Sequence, residues 1–212
     1  MKTTLPVSSS EKIDKNSACK KCLRPQGQCI CGKVTSLNAS VKVLILQHPR
    51  EQYKLLNSAM LAHLALANSV LRVGLSWRNL SHALGEEADP QKWGILFLKG
   101  IIDPSRKIEL YDTQKKRLLP IKTRFEGIVV LDGSWKQAKT MWWRNPWLLK
   151  LTRITLNPVH KSMRGQVKKE GLATVEAVAL ALDCLGEDVG VGESLRKQYE
   201  EKIIKLNSGR LN

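Results

Sequence analysis

Cys19-Lys-Lys-Cys22 and Cys29-Ile-Cys31 place four of the chain's five cysteines within thirteen positions. A C-x2-C pair followed closely by a C-x-C pair can gather four thiolates round one tetrahedral ion. Pro25 and Gly27 supply the turn between the pairs. Two disulfides are one alternative, which a reducing compartment argues against. An iron–sulfur cluster is another. A closed four-sulfur zinc site has no open position, so it would hold a fold rather than do chemistry. Lys20, Lys21, Arg24 and Lys33 flank the cysteines and are expected to face phosphates. Cys184 stands alone in a helical stretch and reads as a small buried hydrophobe.

A second kind of chemistry is offered by Asp132. It follows Ile128-Val129-Val130-Leu131, an apolar, mostly β-branched run that reads as a buried strand. The acid therefore stands at a strand's carboxyl end. Gly133 permits a sharp turn, and Ser134 is placed to N-cap a helix running through Lys136, Ala138, Met141 and Trp142. Open α/β sheets bind ligands at the carboxyl ends of their strands. The plainer reading makes Asp132 part of a helix cap beside a core tryptophan.

Other elements must bring partners to that edge. Val41–Leu46 is an apolar run read as the first strand, and His48-Pro49-Arg50-Glu51 follows directly. His48 and Glu51 are site candidates there, although Glu51 suits helix capping equally. Leu55, Leu56, Ala59, Met60, His63, Leu64 and Ala67 recur at helical spacing, with His63 as a satisfied core residue. Further strands are expected at 70–75, 93–98 and 151–156. Residues 79–92 read as a loop, and 105–127 as basic and irregular. The helix after Ser134 is expected to end near Asn145-Pro146. Its tryptophans read as core or interface rather than a base-stacking platform. Lys161, Arg164, Lys168 and Lys169 make a basic loop, which is either a phosphate contact or a solvated surface. Thr174 is expected to N-cap the next helix, with Glu176 in its first turn, and residues 191–206 form a last amphipathic helix. Neither a Walker loop nor a GxGxxG fingerprint is present.

The totals limit the function classes. The 212 residues suffice for one α/β core and a small appendage. Thirty-five Lys and Arg against nineteen Asp and Glu leave a net charge of +16, which favours a polyanionic partner, nucleic acid before an anionic membrane. Residues 1–18 are polar and read as a disordered tail without a signal peptide. No run reaches the ~20 apolar residues of a membrane helix, so no membrane role and a cytoplasmic place are expected.

Together these pieces resemble the DTW-domain family, the tRNA-uridine aminocarboxypropyltransferases, in its bacterial form. Four patches carry the resemblance: the Cys19/Cys22/Cys29/Cys31 cluster, His48-Pro49-Arg50-Glu51, Leu131-Asp132-Gly133-Ser134-Trp135 and Thr174-Val175-Glu176-Ala177. Ser134 stands where the family's D-x-T-W motif has threonine. Ala173 stands where its S-T-x-E-A motif has serine, so no hydroxyl role is assigned at 173.

The resemblance implies a fold similar to the SPOUT class. That is an α/β fold with a largely parallel sheet flanked by helices and a C-terminal knot, here with a small N-terminal zinc-binding module. It divides the chain into a tail (1–18), a zinc module (19–38) and a catalytic domain (40–212). It implies transfer of the 3-amino-3-carboxypropyl group from S-adenosylmethionine to N3 of a uridine in tRNA. Catalytic roles would fall to Asp132, Ser134, Trp135 and Glu176, with Asp132 the first choice as general base and Glu176 the second. The donor would lie against Leu98, Lys99, Gly100, Leu131, Gly133, Leu156, Pro158, Leu172 and Thr174. RNA would be held by His48, Arg50, Lys161, Arg164 and Lys168, and zinc by the four cysteines. Two other classes stay open: an RNA methyltransferase using the same donor, and a non-catalytic zinc-bearing RNA-binding protein. The target uridine and the choice between monomer and dimer are left open too.

Overall fold

Residues 18–54, 56–97, 103, 105–158, 162–163, 171–187 and 190–208 are described by the computed structural model, with side chains as far as Ile204 in the last helix. Residues 1–17 of the tail, Leu98, Lys99, Gly100, Lys161, Arg164 and Lys168 lie outside the described residues.

Among the described residues, seven strands build one sheet: β1 (Lys42–Gln47), β2 (Ser69–Val73), β3 (Trp93–Phe97), β4 (Ile108–Asp112), β5 (Arg117–Leu119), β6 (Gly127–Asp132) and β7 (Thr152–Leu156). Their order is β2-β1-β6-β3-β7-β4-β5. The first five are mutually parallel, and β4 runs antiparallel to both β7 and β5. The carboxyl ends of β1 and β6 therefore meet in the middle of one sheet edge.

Parallel strands are covered on both faces, which is why β1 and β6 are nearly continuous apolar runs. Alternate side chains serve two cores. Val43, Ile45, Ile128 and Val130 pack under α1 (Ser58–Ala65), α4 (Thr174–Leu185) and α5 (Val191–Ser208). Leu44, Leu46, Val129, Trp93 and Ile95 pack on the other face against α2 (Leu80–Leu84) and the 3-10 turn Pro146–Lys150, with Trp142 of α3 (Trp135–Arg144) at its margin.

Three expectations are corrected. The stretch 105–127 holds the β4–β5 hairpin rather than irregular chain. Its turn needs Lys116 at φ 51°, a left-handed conformation that gives no residue-type signal here. The stretch 79–92 contains α2, whose Asn79 accepts from His82 N at 2.8 Å and whose Gly85 closes it at φ 94°. Thr174 is the first helical residue of α4, and Ala173 takes the N-cap without a side-chain acceptor.

The N-terminal segment packs onto the same body. Cys22 and Ile30 are buried in the core beneath α1, α4 and α5. Thr35 N donates to Gln198 Oε1 at 2.9 Å, and Gln198 Nε2 returns a bond to Thr35 O at 3.1 Å. Lys202 Nζ donates to Lys33 O at 3.3 Å, and Leu37 bridges Leu66 in parallel.

Candidate functional site

Gln47 and Asp132 are register partners at the ends of β1 and β6, and His48 N donates to Asp132 O at 2.9 Å. Asp132 is 8% exposed, on the sheet face covered by α1 and α4. A buried carboxylate needs donors. Gln47 Nε2 donates to Oδ2 at 2.8 Å, and the Thr174 hydroxyl donates to Oδ1. Gln47 Nε2 also reaches Asn57 Oδ1 at 3.0 Å. Asn57 in turn N-caps α1, accepting from Met60 N at 2.9 Å, while its Nδ2 holds Gln52 O at 3.0 Å. One acid thus ties together β1, β6, α1 and α4. The opposite amide rotamer of Gln47 would set an oxygen against two acceptors, which fixes its orientation. That orientation leaves Gln47 Oε1 buried without a hydrogen-bond partner, an unused acceptor in the same network.

Gly133 sits in close approach to the first turn of α3. A Cβ there would lie 3.0 Å from Gln137 Cβ and 3.5 Å from His48 Cβ. Ser134 then caps α3 as expected. Its Oγ accepts from Gln137 N at 3.4 Å, and Gln137 Oε1 accepts from Ser134 N at 2.6 Å. The Ser134 oxygen thereby serves as the acceptor of the α3 cap. Trp135 begins α3 and is 48% exposed, and Trp143 is 71% exposed, so neither is a core residue. Leu131 points away from Asp132, toward the second core.

Glu176 is 6% exposed and accepts three hydrogen bonds: from Ala173 N at 2.6 Å, Ser162 Oγ at 2.6 Å and Met163 N at 2.8 Å. It fastens the segment after β7 to the start of α4. Leu156 is buried at the end of β7, while Pro158 and Leu172 are half-buried on either side of that segment.

His48 accepts from Arg50 N at 3.2 Å through Nδ1. Desolvation lowers its pKa below 6.5, against the opposing pull of Glu51, so the ring is neutral at pH 7. Arg50 is exposed, and Glu51 pairs with Lys54 at 2.7 Å. The structure therefore gathers Asp132, Gly133, Thr174 and His48, and sends Ser134 and Trp135 into α3. Gln47 and Asn57 were missed. The sequence offered one signal for Gln47, a polar residue closing the apolar run of β1 just before His48.

The four clustered cysteine sulfurs all lie within 4.8 Å of one another. Cys19–Cys31 and Cys22–Cys29 are each 3.8 Å apart, far beyond the ~2.05 Å of a disulfide. Zinc–sulfur bonds of ~2.3 Å in a tetrahedron set the sulfurs roughly 3.8 Å apart, so the donors fit zinc. Backbone N–H groups of Cys22 and Lys21 lower the Cys19 pKa to about 6. Burial and the facing sulfurs raise Cys31 to about 12. Four thiols round one point cannot all ionise until a cation supplies the counter-charge. Arg24 is 4% exposed and turned inward, so it does not face phosphates as expected. Desolvation lowers its pKa, and Cys22 and Cys29 partly offset that.

Among the described residues no helix is long and apolar enough to cross a membrane. The family model described as "DTW domain" matches residues 16–206. The "tRNA-uridine aminocarboxypropyltransferase 2" of Macaca fascicularis is 27% identical over 206 residues, covering 92% of this chain and 64% of that protein. The protein of the same name from Drosophila melanogaster is 28% identical over 185 residues, 84% of this chain and 70% of its own. The mouse protein of that name is 26% identical, again covered over 64% of its length. The chain thus spans just under two thirds of its mammalian relatives. No solved structure matches it.

Proposed function

The chain belongs to the DTW domain family, and from that premise we propose that it transfers the 3-amino-3-carboxypropyl group of S-adenosylmethionine to N3 of a uridine in tRNA. One observation carries the reading to this chain's own residues: a buried carboxylate at the carboxyl end of a central parallel strand, held by Gln47 and Thr174.

The donor, when bound, supplies a sulfonium whose attached carbons are electrophilic. Which carbon is attacked depends on what faces the nucleophile, so positioning by the protein sets the product. Asp132 accepts the N3 proton as the new N–C bond forms. The C–S bond breaks and its electron pair leaves with methylthioadenosine. Gln47 and Thr174 keep the Asp132 carboxylate fixed while it does so. Glu176 is a positioning residue: its three bonds fasten Ser162 and Met163, in the segment after β7, to Ala173 at the start of α4. That segment, with Leu98–Gly100, Leu156, Pro158 and Leu172, would cradle the adenosine. A SPOUT-type knot is proposed for the same region on family grounds alone.

Zinc in the four-cysteine site would brace residues 19–38 against α5, giving the catalytic domain a docked basic flank. Exposed Arg50, with Lys161, Arg164 and Lys168, would hold phosphates in a cytoplasmic tRNA-binding enzyme. Neutral His48 would act as a hydrogen-bonding group rather than a cation.

The experiment is to incubate the purified chain with unmodified tRNA and S-adenosylmethionine, then identify nucleosides and the leaving compound by mass spectrometry. Aminocarboxypropyluridine with methylthioadenosine is expected. A methylated nucleoside with adenosylhomocysteine would make it a methyltransferase, and no turnover with intact RNA binding would leave a binding protein.

A further inference from the structure

Helix α3 runs Trp-Lys-Gln-Ala-Lys-Thr-Met-Trp-Trp-Arg, and no acidic residue lies between Gly133 and Asn145. At about 100° per residue its positions divide cleanly into two arcs. Gln137, Ala138, Met141 and Trp142 turn toward the body, with Met141 fully buried and Trp142 edge-on to Phe97 at 5.1 Å. Trp135, Lys136, Lys139, Thr140, Trp143 and Arg144 share the other arc. All but Thr140 are exposed, and Trp143 keeps 71% of its surface in solvent. Two indoles and three cations therefore form one acid-free stripe. Trp135 and Trp143 stand two turns apart, roughly 12 Å along the axis.

A large apolar ring such as Trp143, 71% exposed among cations, offers its face to a partner in solution. Exposed aromatic faces interleaved with cations are what a single nucleic-acid strand needs, since bases stack on the rings and phosphates meet the cations. The stripe also starts at the right place. Only Gly133 and Ser134 separate Asp132 from Trp135 in sequence, so α3 begins beside the strand end that carries the carboxylate. A duplex would use the cations but hide its base faces from the indoles.

We propose that the outer face of α3 is a docking track for unpaired RNA, stacking bases on Trp143 and Trp135 and pairing phosphates with Lys136, Lys139 and Arg144. This names a surface for the RNA that the activity reading requires and rests on that reading only for its link to Asp132.

The test uses the full chain, a fluorescein-labelled oligouridine, a duplex RNA of equal length and anionic phosphatidylserine vesicles. Trp143→Ala should weaken oligouridine binding by about fivefold to a hundredfold with little change for duplex, the range that stacking on one base commonly carries. Lys139→Glu should weaken both RNAs, and Lys115→Glu, on the β4–β5 turn, should weaken neither strongly. Melting temperature should stay unchanged for Trp143→Ala. Native-like oligouridine binding by Trp143→Ala overturns the proposal. So does an equal loss on duplex, or Trp143-dependent binding to vesicles but not to RNA. The activity reading is judged separately by nucleoside analysis. Aminocarboxypropyluridine formation by the native chain, with native-like oligouridine binding by Trp143→Ala, would fail this inference alone. Absent turnover with Trp143-dependent oligouridine binding would fail the activity reading alone.

Discussion

Gln47 Nε2 lies 2.8 Å from Asp132 Oδ2, joining side chains of two residues that already face each other in the β1–β6 register. The pair fixes where the carboxylate sits relative to both strands, and the Thr174 hydroxyl holds its other oxygen. Asp132→Asn should keep this frame. The asparagine carbonyl can accept from Gln47, and its amide can donate to the Thr174 oxygen. Turnover should fall by about two to four powers of ten, the range for loss of a general base, with folding near normal. Turnover at saturating donor, donor affinity and melting temperature separate the readings. A rate restored by saturating donor would make Asp132 a donor ligand. Lower stability with normal turnover would make it a structural cap.

Ala173 leaves the α4 cap half-built. Its N–H donates to Glu176 Oε2 at 2.6 Å, but it has no oxygen to offer the Glu176 N–H in return. Ala173→Ser completes the exchange. A stabilisation of about 1 kcal/mol is expected, or roughly 2–4 °C in melting temperature. Thermal unfolding checks it, and an unchanged or lower melting temperature would show the site too tightly packed for the hydroxyl.

The cysteine cluster should carry one zinc per chain when purified without added metal. Its sulfurs are spaced for the ion, and the protonated Cys31 needs a cation before it ionises. Because this segment docks on α5 through Thr35 and Gln198, a strong chelator should raise amide exchange in α5 as well as near the cysteines. Cys29→Ser should lower the yield of folded protein more than the activity of what folds. Iron, or no metal, in elemental analysis would refute the zinc assignment.

Sequence resolved the elements whose physics is local. β1, β3 and β6 are buried between parallel neighbours and so read as nearly unbroken apolar runs, while β7 (Thr-Arg-Ile-Thr-Leu) keeps only Ile154 and Leu156 as apolar markers. The β4–β5 hairpin escaped because an edge pair carries Glu109, Asp112 and Arg117 and lacks that signature. Thr174 illustrates the limit at the site. It holds the hydroxyl nearest the start of α4, so local rules make it the cap. Its oxygen goes instead to Asp132, forty-two positions away. Asn57 and Gln47 were invisible for the same reason, since a buried polar residue is explained only by the partner that tertiary structure supplies. The tryptophans of α3 were placed on a helix correctly, but which arc faces the sheet depends on Met141 finding the core.

Glu187 gives a prediction with a definite sign. It follows Gly186, which ends α4 at φ 81°, and reaches back to the start of β1. Its carboxylate accepts from Ser40 N at 2.9 Å, Ser40 Oγ at 2.7 Å and Val41 N at 2.5 Å. Burial alone would raise its pKa, but the three donors outweigh burial and set it below 4.5. A group whose folded pKa is depressed stabilises the fold fully above its unfolded value, and that stabilisation fades as pH falls through the folded value. Glu187→Gln removes the charge and leaves a neutral acceptor. At about pH 7 the variant should be less stable by about 0.5–1 kcal/mol, after discounting for solvent at this partly exposed site. Below the folded pKa the native carboxyl is itself neutral, so the two melting temperatures should converge. Other titrating groups cancel in the difference between the two proteins. A gap that stays constant from about pH 7 to about pH 3 would mean that the charge contributes nothing and that Glu187 acts only through shape.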